Sequence, residues 1–349
     1  MSARPESSAA RSAKLTIQDV ADAARVSKAT VSRYLNRGDA QLSPEIAARV
    51  AAAIESLQYR PSPMAQALKR GRSSLIGLVV ADVTNPYSVA VLQGVEKACR
   101  DAGYMVMLFN IGNDDIRERE AVEALSHYQV EGFILHTLGR DTGALAHAHR
   151  MGKPVVLVDR RIGDAPVDLV GLDNASAVRL AARHLLDNGF RRLLYVTEAS
   201  RGISSREERV EAFRAFLAEE GGGVRGAVLE SAHDEPIELE QTLGRWLAEP
   251  QDGPVAVLSA NAVMTLQVAA ACNRRGWQFG RELGLVGFDD PPWLSLVGPG
   301  LSAIAQPTDD IGHLAVRCLL ERLRGEQLPP RHILLPGALM ARGSSRPLR

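Results

Sequence analysis

The sequence predicts an α/β protein with two parts, an N-terminal three-helix headpiece and a two-lobed core of parallel sheets. Three observations lead to this prediction. Apolar residues recur at helical spacing over residues 15–57. From Leu75 onward, short β-rich runs alternate with helical runs, which is typical of parallel sheets covered by helices. The strand series restarts near residue 190, so about 270 residues are expected to form two similar lobes with a cleft between them.

The first two helices of the headpiece are predicted within residues 15–36. Their apolar residues lie on both sides of a break at Val26, and they are Ile17, Val20, Ala21, Ala24, Val31 and Leu35. Thr16 and Ser27 each precede a helical run, where a hydroxyl can satisfy a free backbone N–H as an N-cap. The pattern therefore predicts two helices that share one small core and are joined by a tight turn.

The outer face of the second helix carries cations, hydroxyls and one small apolar residue, with no carboxylate before Asp39. Such a surface suits phosphates and base edges of DNA. The residues of this face are Lys28, Ala29, Thr30, Ser32, Arg33 and, one turn on, Asn36. Two ordinary surface helices remain the alternative, since amphipathic helices with exposed cations are common.

A third helix is predicted after Ser43 and Pro44, which form a capping serine and a proline at the first helical position. Its buried stripe consists of Ile46, Val50, Ile54 and Leu57. The predicted organisation is a disordered tail over 1–14, a helix-turn-helix headpiece over 15–60, a proline-bounded linker over 61–73 and a core over 74–349.

Charge separates the two parts of the chain. Residues 1–72 hold 12 of the 41 basic and 6 of the 41 acidic side chains, so the remainder carries 29 basic and 35 acidic ones. A cationic headpiece on an anionic core favours phosphate contact through the headpiece alone, with binding that weakens as salt rises. The N-terminal residues lack an apolar signal-peptide core, which favours a cytoplasmic protein without a membrane span. Cys99, Cys272 and Cys318 lie in apolar helical runs without metal-ligand spacing, so buried structural cysteines and no metal or cofactor are expected.

Seven strands are predicted in the core, at 75–81, 104–109, 132–137, 155–159, 193–197, 255–259 and 283–288. Ligands of such sheets lie beyond the carboxyl ends of the strands. Candidate ligand-binding residues follow these runs or begin the next helix, and they are Asn85, Tyr87, Asp159, Arg160, Arg206, Arg209, Asn261 and Asp289. A helix cap or a solvated ion pair is the alternative role for each of them.

The stretch TIQDVADAARVSKATVSRYLN resembles the headpiece of the LacI/GalR family of transcriptional regulators, whose motif runs V-A-x-x-A-G-V-S-x-x-T-V-S-R. Arg25 departs from this motif, because the family has a glycine there; a left-handed arginine costs on the order of 1 kcal/mol. The resemblance implies binding of double-stranded operator DNA by a homodimer. It also implies that residues 61–73 form a hinge helix whose Leu68 enters the minor groove.

The same resemblance extends to the end of the chain and implies a core similar to periplasmic sugar-binding proteins. By motif position Asp159, Arg209, Asn261 and Asp289 resemble sugar-contacting residues, and His233 lies near an effector-contacting position. Ala262 stands where relatives carry Asp. Three candidate arginines favour an acidic sugar as effector, because a guanidinium pairs with a carboxylate, and the chain is similar to members that respond to 2-ketogluconate.

An enzyme is not expected, because the sequence has no G-x-S-x-G elbow, no P-loop, no G-x-G-x-x-G after the first strand and no His/Cys/Glu metal cluster. The sequence therefore predicts a ligand-responsive DNA-binding regulator, a repressor of carbohydrate or sugar-acid catabolic genes that an effector releases from a palindromic operator. A sugar-binding protein and a purine-responsive, corepressor-dependent regulator of the same fold are the alternatives.

Overall fold

The computed structural model describes residues 15–37, 42–60, 72–140, 142–231, 236–249 and 253–346. The chain divides between Ser73 and Ser74 into two compact units, a headpiece and a core. The predicted tail at 1–14 and residues 61–71 of the predicted hinge, including Leu68, lie outside the described residues.

The headpiece consists of three helices around one small core, as predicted. The helices are α1 (Ile17–Ala24), α2 (Lys28–Arg37) and α3 (Pro44–Ser56). Their fully buried apolar residues are Val20, Ala21, Ala24, Val31, Val50 and Ala53. Ser27 caps α2, because its hydroxyl accepts a hydrogen bond from the Thr30 N–H at 3.2 Å. At the start of α1, the Thr16 N–H and hydroxyl both donate to the Asp19 carboxylate, at 2.6 and 2.8 Å.

Arg25 ends α1 in the left-handed conformation, with φ 52° and ψ 49°. The position keeps the geometry that a glycine adopts without steric cost, so the turn is not reshaped to suit the arginine. The Arg49 guanidinium of α3 donates to the carbonyls of Ala24 and Arg25 at 2.6 and 2.9 Å. These charged hydrogen bonds satisfy carbonyls at the end of α1 and thereby stabilise the strained turn.

The first lobe of the core is a six-stranded, fully parallel sheet in the order β11-β5-β4-β3-β1-β2. Its strands are β1 (Leu75–Val80), β2 (Met105–Asn110), β3 (Gly132–His136), β4 (Val155–Val158), β5 (Asp168–Leu172) and β11 (His332–Leu335). Its helices are α4 (Pro86–Asp101), α5 (Asp115–His127), α6 (Thr142–Arg150) and α11 (Thr308–Leu323). In register, Val80 lies opposite His136, so the residues that follow β1 and β3 meet at one edge of the sheet.

The second lobe holds a six-stranded sheet in the order β12-β10-β9-β8-β6-β7, parallel except for β12. Its strands are β6 (Arg192–Thr197), β7 (Arg225–Glu230), β8 (Val255–Ser259), β9 (Leu283–Phe288), β10 (Ser302–Ala305) and β12 (Ala338–Met340). Its helices are α7 (Asn174–Asp187), α8 (Ser204–Glu220), α9 (Pro236–Leu247) and α10 (Ala262–Arg275).

The two lobes are not consecutive halves of the chain. The prediction that the first lobe ends and the second begins near residue 190 was therefore incomplete. After β10 the chain returns to the first lobe, where α11 packs on α4 and β11 joins the sheet edge beside β5. It then crosses once more to form β12 in the second lobe.

All seven predicted strands are present, with ends that differ by at most one residue. The sequence missed five others, which are short, begin with polar residues or lie at the sheet edge: β5, β7, β10, β11 and β12. The three cysteines are buried in helices of the core, as predicted. Of the helices that the structure describes, none combines the length and apolarity needed to span a membrane.

Replacing Arg25 by Gly is predicted to raise the free energy of unfolding of the headpiece by about 1 kcal/mol, because glycine adopts φ 52° without a Cβ clash. Chemical denaturation of the full chain, followed by a headpiece signal from Tyr34, measures the change. Arg25→Lys is the matched control and should leave stability unchanged. A loss of stability in the glycine variant would show that the arginine side chain itself stabilises the turn.

Helices α4 and α11 of the first lobe approach each other closely at Gly94 and Gly312. A Cβ built on Gly312 would lie 2.6 Å from the Gly94 carbonyl carbon and the Val95 nitrogen, both backbone atoms that cannot rotate away. A helical Gly→Ala change usually stabilises a protein, whereas Gly312→Ala is predicted to destabilise the core by about 2 to 3 kcal/mol through overpacking.

Thermal and urea unfolding of the full chain measure this loss. Gly222→Ala is the control, because a Cβ there meets no atom within 4 Å. Equal stabilities for the two variants would mean that α4 and α11 separate at little cost.

Candidate functional site

The outer face of α2 is the candidate DNA-contacting surface of the headpiece. Lys28, Ala29 and Arg33 are exposed on it, and α2 has no acidic residue in its first turn. Thr30 and Ser32 are half-buried, and the Ser27 hydroxyl lies 2.9 Å from that of Thr30. The predicted contacts therefore form one polar, cationic patch beside the turn. Asn36 lies in α2, but its side chain is outside the described residues.

A second candidate site lies in the cleft of the core, where the carboxyl ends of both sheets face each other. Asp159, directly after β4, is its centre and adopts a left-handed φ of 69°. The Ser205 hydroxyl of α8, in the other lobe, donates to Asp159 Oδ2 at 3.1 Å. Arg160 Nε lies 3.2 Å and His136 Nε2 3.7 Å from the same oxygen. The carboxylate therefore connects residues from both lobes.

The Asp159 carboxylate is held ionised although its side chain is only 6% exposed. Burial alone would raise its pKa, but His136 and the charges of Arg160 and Arg209 outweigh burial and hold the pKa below its usual range. Burial lowers the pKa of His136, against the opposing effect of the Asp159 carboxylate. This corner of the cleft therefore offers a buried negative charge beside an imidazole ring.

Arg209 is buried on the second-lobe side and held from two directions. Its Nε donates to the Asn174 carboxamide at 2.7 Å, and its Nη1 donates to the Ala260 carbonyl at 2.6 Å. The guanidinium lies 4.3 Å from the centre of the Phe288 ring, a cation–π contact. Among the described residues no carboxylate lies within ion-pair distance of Arg209, and Nη2 makes no hydrogen bond.

Asp289 follows β9 with a left-handed φ of 67° and is buried beside Arg209. Its carboxylate accepts hydrogen bonds from the Ala262 N–H at 3.1 Å and from the Gln306 side chain at 2.6 Å. Burial raises its pKa above the usual value, against the opposing charge of Arg209. Ala262, the departure noted in the sequence, thus supplies a backbone donor that orients Asp289.

Arg160 and Arg206 are each neutralised by a carboxylate of this chain. Arg160 pairs with Asp159 and donates to the Thr137 carbonyl at 2.9 Å. Arg206 pairs with Glu198 at 2.7 Å. The neighbouring acidic residues Glu207 and Glu208 have other partners: the first accepts a hydrogen bond from the Gly202 N–H, and the second pairs with Arg161.

Two of the predicted binding residues act as helix caps. Asn85 accepts from the Tyr87 N–H at 3.0 Å at the start of α4. Asn261 accepts from the Met264 N–H at 2.9 Å at the start of α10, while its Nδ2 donates to Glu198 at 2.6 Å. The Asn85 amide oxygen and both ends of the Asn261 amide thus already have partners in this structure. His233 lies outside the described residues.

Several polar atoms at this cleft are buried and have no hydrogen-bond partner among the described residues. They are Tyr87 Oη, His136 Nε2, Asp159 Oδ1 and Gln306 Oε1. Burying such groups without partners costs roughly 1 to 3 kcal/mol each. Their concentration around one cleft indicates a site whose polar groups are completed by a bound molecule.

The sequence interpretation missed several residues of this cleft: His136, Asn174, Glu198, Ser205 and Gln306. His136 ends a strand that the sequence did predict, so its place at the carboxyl end was a usable signal. Ser205 begins the helix that carries Arg206 and Arg209. Asn174 and Gln306 follow strands that the sequence did not predict.

Comparisons with known proteins agree with this architecture. The family described as "Bacterial regulatory proteins, lacI family" matches residues 16–62, and a periplasmic binding protein-like domain matches residues 182–345. The Lac repressor dimer bound to operator and the anti-inducer ONPF has a similar structure, with a TM-score of 0.81, 23% identity and coverage of 95% of this chain and 99% of that chain. A complex of the transcriptional regulator CelR with cellobiose has a TM-score of 0.68 at 26% identity, covering 95% and 99% of the two chains.

Sequence relatives match over nearly the whole chain. The HTH-type transcriptional regulator PtxS of Pseudomonas plecoglossicida is 50% identical, covering 96% of this chain and 97% of the relative. The regulator KdgR of Bacillus subtilis is 36% identical over 94% and 97%. The ribose operon repressor of Escherichia coli K12 is 30% identical over 95% and 99%. With its helix-turn-helix headpiece and two-lobed core, the chain belongs to the LacI family of DNA-binding transcriptional regulators.

Proposed function

We propose that this regulator is a homodimeric cytoplasmic repressor of sugar-acid catabolic genes, whose cleft binds an acidic sugar that releases it from its operator. The observation that carries this proposal is the set of unpartnered polar atoms around the cleft, next to a buried arginine without a carboxylate partner among the described residues. A polyhydroxylated anion supplies both the hydroxyls and the charge that such a site lacks.

The charges of the cleft support an anion over a neutral sugar. Arg160 and Arg206 are paired, which leaves the Arg209 charge to be met by Asp289 and a ligand. Burial raises the pKa of Asp289 above its usual value, against the opposing charge of Arg209. Any hydrogen bond from the free edge of Arg209 to the ligand is charge-assisted, and a net negative charge on the ligand strengthens it.

The known relatives support a carbohydrate in general. The relatives include a ribose operon repressor, and a structural neighbour holds cellobiose. Ribose and cellobiose are both neutral sugars, so the choice of a sugar acid depends on the cleft of this chain. A neutral hexose, a pentose or a purine is the competing outcome of the binding test below.

For the operator, we assign direct contacts to the α2 patch described above. Lys28 and Arg33 are placed to reach base edges in the major groove, whereas Thr30 and Ser32 contact phosphates. The proposed set of DNA-contacting residues also includes Thr16, Ser27, Ala29, Asn36 and Leu68.

A dimer follows from the small size of one headpiece, since few base contacts require a second half-site for useful specificity. The core offers an apolar edge for the interface. Strand β2 is the last strand of its sheet, and Met105 and Leu108 on it are 67% and 42% exposed. The Lac repressor of similar fold is a dimer on its operator.

Arg33→Ala is predicted to weaken operator binding by about 1 to 3 kcal/mol and to relax the preference at one base of each half-site. Selection from a randomised-site DNA library, followed by anisotropy titration at fixed salt, measures both effects. Arg214→Ala, which removes an exposed charge from the core, is the control. An unchanged base preference in the Arg33 variant would exclude a base contact.

Gluconate or 2-ketogluconate is predicted to bind the full chain, and Arg209→Ala is predicted to weaken that binding by about 1.5 to 3 kcal/mol, the value of a charged hydrogen bond. Titration calorimetry measures both affinities. Arg214→Ala on the same helix should bind like the wild type. Tighter binding of glucose, ribose or a purine than of every sugar acid tested would contradict the proposal.

The core alone, residues 74–349, is predicted to sediment as a dimer at micromolar concentration, because the exposed apolar strand edge lies in the core. Analytical ultracentrifugation beside the full chain measures this. Leu108→Lys should shift the core toward monomer, whereas Lys97→Glu, which changes an exposed charge on α4, should not. A wild-type core that sediments as a monomer would place the interface elsewhere.

A further inference from the structure

Glu198 lies directly after β6, at the carboxyl end of the second-lobe sheet, and its carboxylate faces two donors of the cleft. Its Oε2 accepts a hydrogen bond from Asn261 Nδ2 at 2.6 Å and lies 2.7 Å from Arg206 Nη2. An amide N–H and a guanidinium on one carboxylate oxygen form the arrangement expected for binding an acidic ligand. In this structure a carboxylate of the chain itself fills it.

Both donors are held in place by bonds that do not involve Glu198. Asn261 is fixed as a helix cap through the Met264 N–H. Arg206 donates from its other terminal nitrogen, Nη1, to the Ala199 carbonyl at 3.0 Å. If the Glu198 side chain rotated away, the two donors would therefore keep their orientation and remain ready to bind another carboxylate.

The Glu198 side chain is also free to leave. It is 24% exposed, whereas the side chain of Arg206 is 15% exposed. A rotation about its side-chain bonds returns the carboxylate to water, so the carboxylate loses no hydration when it leaves the two donors. The donors adjoin the centre of the cleft, because Ser205, next to Arg206 in the chain, donates to Asp159.

We propose that Glu198 is a specificity-determining residue of the cleft, whose carboxylate occupies the position of a ligand carboxylate on Arg206 and Asn261 and is displaced when an acidic sugar binds. This inference rests on the proposed binding of a sugar acid. The internal carboxylate lowers the affinity for an acidic ligand by competition, and it has no such effect on a neutral sugar, which presents no carboxylate to these donors.

Titration calorimetry of the full-length Glu198→Gln variant with potassium gluconate and, separately, with glucose tests this proposal. Removing the charge while keeping the shape should tighten gluconate binding by about 2- to 5-fold, the range expected for a partly exposed ion pair. Glucose affinity should not change. Glu211→Gln, which removes an exposed charge from the same lobe, should change neither.

A double-mutant cycle separates competition from a general charge effect. Arg206→Ala should weaken gluconate binding several-fold more in the Glu198→Gln background than in the wild type, because Arg206 is then released to the ligand. Equal losses in the two backgrounds would contradict the proposal.

Unchanged or weaker gluconate binding by Glu198→Gln, with normal binding by the wild type, would overturn the role of Glu198 and leave the proposed sugar-acid function intact. Binding of gluconate by neither protein would overturn both. A gain for gluconate and glucose alike would show that the Glu198 charge opposes any ligand of the cleft, which also contradicts competition between carboxylates.

Discussion

The buried carboxylate of Asp159 is the interaction on which the two lobes of the core depend. It stands at the end of β4 in a left-handed conformation, 3.1 Å from a hydroxyl of the other lobe and 3.2 Å from the Arg160 guanidinium. A buried ion costs several kcal/mol unless it is paired and hydrogen-bonded. The residues around Asp159 are therefore constrained together, and any change in lobe arrangement must re-partner this carboxylate.

The other charges of the cleft follow from that constraint. The charge of Arg209 lowers the pKa of both Asp159 and Asp289, yet burial leaves the pKa of Asp289 raised. Arg206 is balanced by Glu198. The arginines of the cleft can thus accommodate a ligand that adds one negative charge. A conformation favoured by such a ligand couples the cleft to DNA affinity, and the coupling acts equally in both directions.

Most of the fold could be predicted from the sequence, because the headpiece and the buried strands carry strong apolar patterns. Strand β7 was not predicted because it is a half-exposed edge strand. Strand β11 was not predicted because it joins the first-lobe sheet from a distant part of the chain. Asp159, Arg209 and Asp289 could be placed at the cleft because each follows a strand or begins a helix. The pairing of Arg206 with Glu198 could not be predicted from the sequence, because it depends on side-chain distances between separate elements.

The central claim is that ligand binding in the cleft and operator binding by the headpiece are coupled. Fluorescence anisotropy of labelled DNA from upstream of the protein's own gene, titrated at fixed salt with and without saturating 2-ketogluconate, measures that coupling most directly. We expect a lower DNA affinity with the sugar acid and a reduction of sugar-acid affinity by the same factor when the DNA is bound. Tight binding of the sugar acid with unchanged DNA affinity would contradict it.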